Sequence, residues 1–319
     1  MRNVFKAELK KTWLRPMIIL AFVLLCVSQL AYVLLNYDSD LKEYAERYNA
    51  FSGDRYTPFM QMLDRVVKIY SDEYGEFAEE AFAGLREAGE EGRLVFGYSP
   101  AAQKMTDQYM VALGFLIFML LLCSDMFSGE KESGMYQLQS VTKQGRRQLF
   151  LAKLAVCQTS ALLAWLASNL VYAEILTGFY GWGNIEGVIQ DFSFNTCPYD
   201  MNSGEYLAAV LALGFIASQL CAIIIFIAAR LAKTTKQAAA LVGGLMLLPY
   251  MLAFATNNIC LAIWSPCLMN GRWLWSGLHA VKLWEGYVPL WYIACLGLLT
   301  VHAAAAVCLY KIEGKGYEN

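Results

Sequence analysis

The chain has 319 residues, of which 58% are hydrophobic and only 16% charged, with a mean hydropathy of +0.40. Soluble domains carry roughly a quarter charged residues, so this composition excludes an ordinary soluble globular protein. The formal net charge of −2 hides a strong segregation of charge along the chain.

Six apolar runs dominate, at residues 17–37, 108–127, 151–173, 207–229, 238–256 and 288–310. Each approaches the ~20 residues needed to cross a ~30 Å hydrocarbon core at ~1.5 Å per residue. The expected fold class is an all-α polytopic membrane protein with six spans. Fifteen of the 25 basic residues fall on short segments that share one side if the N-terminus is inside. They are Arg2, Lys6, Lys10, Lys11, Arg15, Lys131, Lys143, Arg146, Arg147, Lys153, Arg230, Lys233, Lys236, Lys311 and Lys315. The loop 178–206 has no Lys or Arg, and 257–287 has only Arg272 and Lys282. Positive-inside then predicts both termini in the cytoplasm.

Residues 1–16 read as a basic amphipathic helix lying in the interface, with Val4, Phe5, Leu9, Trp13 and Leu14 at helical spacing, and Pro16 opens span one. The run after it is too long for a signal-peptide h-region and has no Ala-x-Ala-like site, so cleavage is not expected. The segment 38–107 is the sizeable soluble piece, with fifteen acidic and eight basic residues. Thr57-Pro58, Ser71 before Asp72 and Glu73, and Ser99-Pro100 read as helix starts. Two apolar stripes, Phe59, Met62, Leu63, Val66, Val67 and Ile69, then Phe77, Ala81, Phe82 and Leu85, predict a small extracellular helical cap.

Span two closes on Asp125 and runs into the cytoplasmic loop 128–150, then span three. Glu130 and Glu132 suit a helix N-terminus, Met135, Leu138, Gln139 and Thr142 share one face, and Lys143, Arg146 and Arg147 end the segment. A short helix of mixed character between two spans suits a groove on another protein. The outer loop 174–206 is rich in Gly and aromatics. Span four, the short inner loop 230–237 and span five follow. The segment 257–287 holds Trp264, Trp273, Trp275 and Trp284, which predicts a short helix at the outer interface. Span six and the cytoplasmic tail 311–319 complete the chain.

Catalytic and metal motifs are lacking. Two His occur, His279 and His302, and no His-Glu-x-x-His, Gly-x-Ser-x-Gly, P-loop or Cys-x-x-Cys spacing is present. Six of the nine Cys lie in spans; Cys197 has Cys260 and Cys267 as candidate disulfide partners outside. The spans are almost free of mid-membrane charge, which speaks against ion coupling and fits an amphiphilic substrate. Glu174, near the outer end of span three, is the candidate pathway residue. An alternative reading is a non-transporting membrane sensor or assembly scaffold with an extracellular partner-binding cap.

Phe127, Glu130, Gly134, Leu138, Ser140, Arg146 and Lys153 together resemble the F-x-x-E-x-x-x-G element and following inner loop of ABC-type exporter permeases of the second class. The opening helix with Glu8-Leu9-Lys10 and Arg15, and the six-span layout, extend the similarity across the chain. The outer segment 38–107 departs from the family pattern, and such insertions occur in bacterial members that resemble peptide-antibiotic export and immunity permeases. The resemblance implies that 130–147 contacts a separate ABC ATPase subunit, with Glu130, Gly134, Leu138, Arg146 and Arg147 as coupling residues. It implies no catalytic residue, cofactor or metal on this chain, ATP and Mg on the partner ATPase, and pairing with a second permease chain, itself or a sister. Multi-pass placement in a bacterial plasma membrane among lipid is implied, with no nucleic-acid partner.

Overall fold

A computed structural model describes residues 2–132, 143–191, 196–256, 264–284 and 286–315. Six helices among these are long and apolar enough to cross a membrane, and the protein is a helical polytopic membrane protein. Helix α1 (Arg2–Trp13) precedes α2 (Pro16–Leu35), and Pro16 sits in the first turn, where its missing N–H costs nothing. Along α2, Ile18, Ala21, Leu25, Gln29 and Val33 are buried, a single stripe of spacing three or four. The other faces leave Leu20, Val23, Leu24 and Val27 exposed, as a lipid-facing helix allows.

The core of the bundle is α7 (Tyr109–Glu132), α8 (Lys143–Tyr180) and α9 (Ser203–Leu231). Before them come α3 (Ser39–Ala50), α4 (Tyr56–Tyr74), α5 (Glu76–Glu90) and α6 (Pro100–Met105). Helix α8 continues to Tyr180 rather than ending near 173, so Glu174 lies on the helix and the loop starts at Gly181. The first residues of α9 are fixed by a reciprocal cap, in which Asn202 accepts from the Glu205 N–H and Glu205 accepts from the Asn202 N–H. Where α7, α8 and α9 meet, Phe115 packs edge-on to Trp165 at 6.1 Å between centroids. Trp165 in turn lies over Gly214, where a Cβ would stand 2.6 Å from the indole and 3.0 Å from the Met269 carbonyl oxygen. Glycine is therefore the residue that lets the ring close the interface.

The fifth span is interrupted. Helix α10 (Thr235–Val242) passes through a wide π turn at Gly243–Leu247 into α11 (Leu248–Thr256). Pro249 has no N–H for the Leu245 carbonyl four residues back; that oxygen accepts from the Trp264 indole instead, at 2.9 Å. After α12 (Ser265–Leu268) and a 3₁₀ turn at Gly271–Leu274, the chain forms a hairpin of β1 (Ala280–Leu283) and β2 (Gly286–Pro289), then enters α13 (Leu290–Lys315). Over its described residues the Trp-rich segment is thus two short helical turns and an antiparallel hairpin rather than one interfacial helix. Trp284 at the hairpin tip has φ 52° and is 95% exposed.

In the cap, Phe59, Leu63, Val66 and Val67 of α4 meet Phe82 and Leu85 of α5 in one core, joined by Val188 and Leu278. Ile69, expected in the stripe, is 67% exposed. Ser71 starts no helix: α4 runs on to Tyr74 and turns at Gly75, whose φ of 60° suits glycine. Nor does Thr57 cap α4, because its N–H donates to Asp54 one turn earlier. Ser99 does cap α6, accepting from the Ala102 N–H. Tyr287 of the hairpin packs on Tyr74 and Phe77 at 5.3 and 5.5 Å, so cap and hairpin are one structure. Cys197 and Cys267 are both buried free thiols, which removes that disulfide; Cys260 lies outside the described residues.

Replacing Gly214 by Ala is expected to cost about 1–3 kcal/mol through overpacking against a buried ring. Gly178→Ala in α8, where a Cβ meets nothing within 4 Å, should be neutral or stabilising. Thermal unfolding of the two variants in detergent would show the contrast; equal midpoints would mean the Trp165 contact yields freely.

Candidate coupling site

Four charges from three helices converge at the end of the bundle that carries α1. Lys153, near the start of α8, is 1% exposed. Its ammonium donates to Glu130 Oε2 at 2.5 Å and to the Met126 carbonyl at 2.5 Å, both on α7. Lys11 of α1 donates to the other Glu130 oxygen, and Glu8 of α1 stands 4.0 Å from the Lys153 nitrogen. Glu8 and Glu130 are themselves buried, at 8% and 4% exposure. Two carboxylates face two ammonium groups, so the formal charges cancel. That balance is what makes burial of the cluster affordable.

Glu130 lies beyond the apolar stretch of its helix, which ends at Ser124. Burial pushes its carboxyl pKa up, but hydrogen bonds from Lys11 and Lys153 outweigh burial and hold it below the ordinary glutamate value. The next residue, Lys131, turns the other way. Its ammonium donates to the carbonyls of Arg230 and Ala232, at 2.8 and 2.6 Å, where α9 ends and leaves acceptors without helical partners. Burial, and then the Arg230 charge, lower the Lys131 pKa. One turn earlier, Phe127 is buried with the Lys153 ammonium 4.9 Å and the Arg230 guanidinium 5.6 Å from its ring centre. It packs edge-on to Phe226 of α9 at 5.0 Å. Residues 127, 130, 131 and 153 thereby fasten the ends of α1, α7, α8 and α9 to one another.

Helix α1 is docked on the bundle rather than held by lipid alone. Phe5, Leu9 and Trp13 pack against the main core, and the Trp13 indole donates to Ser160 of α8 at 2.9 Å. Leu14, expected on the apolar face, is 70% exposed. The buried face is Phe5, Glu8, Leu9, Thr12 and Trp13, a three-four spacing that includes an acid. That misplaced acid is the signal from which Glu8 could have been found.

Of the residues singled out in the sequence, Glu130 is central to the cluster and Lys153 is its main partner. Arg147 is exposed on the first turns of α8. Gly134, Leu138 and Ser140 lie outside the described residues, as do the side chains of Asp125 and Arg146. Glu174 is exposed near the other end of α8, far along the helix from the cluster, and the geometry does not join it to the coupling residues.

The family profile of ABC-2 family transporter proteins matches residues 2–269, most of the chain and all of the charge cluster. The protein belongs to this family and is the membrane-spanning permease subunit of an ABC transporter. Comparison with curated proteins gave no match, and comparison with solved structures gave none.

Removing one charge from a buried, balanced set leaves another uncompensated, at a cost of about 3–5 kcal/mol. Lys153→Met alone is therefore expected to lower the unfolding midpoint strongly. Adding Glu130→Gln should recover part of that loss, because only Glu8 and Lys11 then remain charged. A double-mutant cycle read by thermal unfolding measures the coupling; strict additivity would mean the pair is not linked.

Proposed function

We propose that the chain is the permease subunit of an ATP-driven exporter and that residues 130–147 form its coupling segment to a separate ABC ATPase. The observation that carries this reading is the Lys11–Glu130–Lys153 cluster. It brackets the 133–142 connection, because Glu130 sits just before it on α7 and Lys153 about three turns beyond it on α8. Any force applied to that connection reaches α1, α7 and α8 together. The partner ATPase holds ATP and Mg and performs the hydrolysis. Its closure shifts the transport equilibrium only through contacts that differ between two states of the permease. Gly134, Leu138, Arg146 and Arg147 supply those contacts, and Glu130 positions the segment that bears them.

In this reading the charge cluster faces the cytoplasm and the cap faces outward, in keeping with the distribution of basic residues. A second permease chain, self or sister, completes the transmembrane unit. The substrate is amphiphilic, of peptide, lipid-like or antibiotic type. Support comes from the spans, whose centres offer almost no ionisable groups to a small hydrated ion. Glu174, exposed near the outward end of α8, is a candidate contact on the substrate route.

Two variants test the coupling role. Gly134→Val is expected to insert, fold and co-purify with the ATPase, yet to lose most ATP-dependent transport in proteoliposomes. Glu130→Gln, which also gives up part of the stability of the charge cluster, is expected to lose transport in the fraction that folds and co-purifies. Normal transport by both would remove the coupling assignment. Purification from the native membrane without any nucleotide-binding subunit would count against the exporter reading as a whole.

A further inference from the structure

At the opposite end of the bundle from the charge cluster lies a cavity of about 400 Å³, within the ~300–1,000 Å³ span of small-molecule sites. Asp38, Leu41, Tyr44, Tyr98, Lys104 and Arg272 line it. They come from three separate places: the start of α3, the segment around α6, and the Gly271–Leu274 turn. The first two places adjoin the end of a span in the chain, and the third is tied to the starts of α7 and α9 through Asn270 and the Arg272 carbonyl. Helix α2 stops at Leu35, three residues before Asp38, and α7 starts at Tyr109, five after Lys104. The cavity therefore sits where the helices leave the hydrocarbon, at the depth of lipid headgroups.

The lining carries two cations and one anion. Both cations are placed from behind by backbone anchors. The Tyr172 hydroxyl donates to the Lys104 carbonyl at 3.3 Å, and the Tyr206 hydroxyl donates to the Arg272 carbonyl at 3.0 Å. Next to Arg272, the Asn270 side-chain oxygen accepts from the Gln108 N–H at 2.9 Å. Lys104 extends over the Tyr180 ring at 5.9 Å, and the Tyr180 hydroxyl accepts from the Asp38 N–H at 3.1 Å. A guanidinium and an ammonium held on a tyrosine-walled cavity are the donors that a phosphate ester recruits, the first bidentately and the second as a point charge. Tyr44 and Leu41 give the apolar wall along which the glycerol end of such a group can lie.

We propose that this cavity binds the anionic phosphate-ester headgroup of an amphiphile, with Arg272 and Lys104 as its contacts, while the acyl chains stay in the bilayer beside α2. Asp38 limits the site to groups with little negative charge beyond the phosphate. The assignment stands on the lining alone and survives failure of the coupling role given to Glu130.

The test uses the full chain in a neutral detergent and three probes: dihexanoyl phosphatidylglycerol, dihexanoyl phosphatidylcholine and glycerol phosphate. Microscale thermophoresis should show the phosphatidylglycerol binding about tenfold or more tighter than the zwitterionic lipid. Lys104→Gln and Arg272→Gln should each weaken it by about tenfold, the scale of one charge-assisted hydrogen bond. Asp38→Asn keeps the oxygen that accepts the Asp40 N–H at the start of α3 and should tighten it. If Arg272→Gln fails to fold, the opposite responses of the other two variants carry the test. Equal binding of the two lipids, or no change in the Lys104 and Asp38 variants, overturns the proposal. Glycerol phosphate binding as tightly as the lipid overturns the amphiphile in favour of a free phosphate.

Discussion

The arrangement of this protein turns on the burial of charge at one end of an apolar bundle. Moving an isolated ammonium or carboxylate out of water costs several kcal/mol even after relaxation, and Lys153 is almost entirely enclosed. It is tolerable only with Glu130 and the Met126 carbonyl in place. Glu130 in turn needs Lys11, and Glu8 finds its nearest cation in Lys153. Lys11 reaches in from a partly exposed position, whereas withdrawing any of the three buried members leaves a partner uncompensated. The cluster behaves as a single fastening across α1, α7 and α8, and Lys131 extends it to the end of α9. Hydrophobic packing between lipid-embedded helices has no comparable selectivity, because acyl chains compete for the same apolar surface.

Helix α7 links that fastening to the other end of the molecule. Its 24 residues span about 36 Å at ~1.5 Å per residue, from Tyr109 beside the cavity to Glu132 beside the ion cluster. The two ends differ in kind. Near the cluster, polar groups are saturated by partners within the chain. Near the cavity, the backbone carbonyls of the two cationic residues are held by tyrosine hydroxyls, and their side chains line the cavity. A rigid rod joining a closed polar end to an open one can carry a displacement along its axis, and the buried contacts Phe115–Trp165 and Phe127–Phe226 brace it on the way.

The spans were legible because crossing a bilayer imposes a length and a composition that few other structures share. The six expected runs and the six apolar helices fall on the same parts of the chain. Ends were less legible: α8 extends well past its apolar run in both directions, since hydropathy marks the hydrocarbon and not the helix. The hairpin could not be read at all. Ala280–Leu283 and Gly286–Pro289 are four residues each, too short for a period of two to stand out, and the turn places a tryptophan at positive φ. Of the site, Phe127, Glu130 and Lys153 were visible as spaced residue types. Lys11 was hidden beside Lys10, because adjacent lysines on a basic helix look alike until a carboxylate chooses between them. Glu8 was visible only as part of the Glu8-Leu9-Lys10 element, although its position three residues after Phe5 puts it on the buried face.

Where the molecule can give is set by the same packing. The spans at Pro100–Ser124, Arg147–Tyr180 and Ser203–Leu231 are half or more buried within the chain, whereas those at Pro16–Leu35, Thr235–Ala253 and Leu290–Leu309 are 17–28% buried. The first of these three is tied to the cluster through α1, only two residues away. The fifth carries a π turn, a proline and a borrowed indole hydrogen bond, and the sixth holds on by little more than one stripe. If an ATPase acts on the connection between α7 and α8, the tightly packed helices move as one body. Within the membrane, the packing that changes would then be that of the loosely packed fifth and sixth spans, against lipid or a second permease chain. An interface of that kind can change cheaply, because van der Waals contact with a neighbouring helix and with acyl chains differ little in free energy. The ionic fastening resists change for the opposite reason, since no partial separation of its charges is inexpensive.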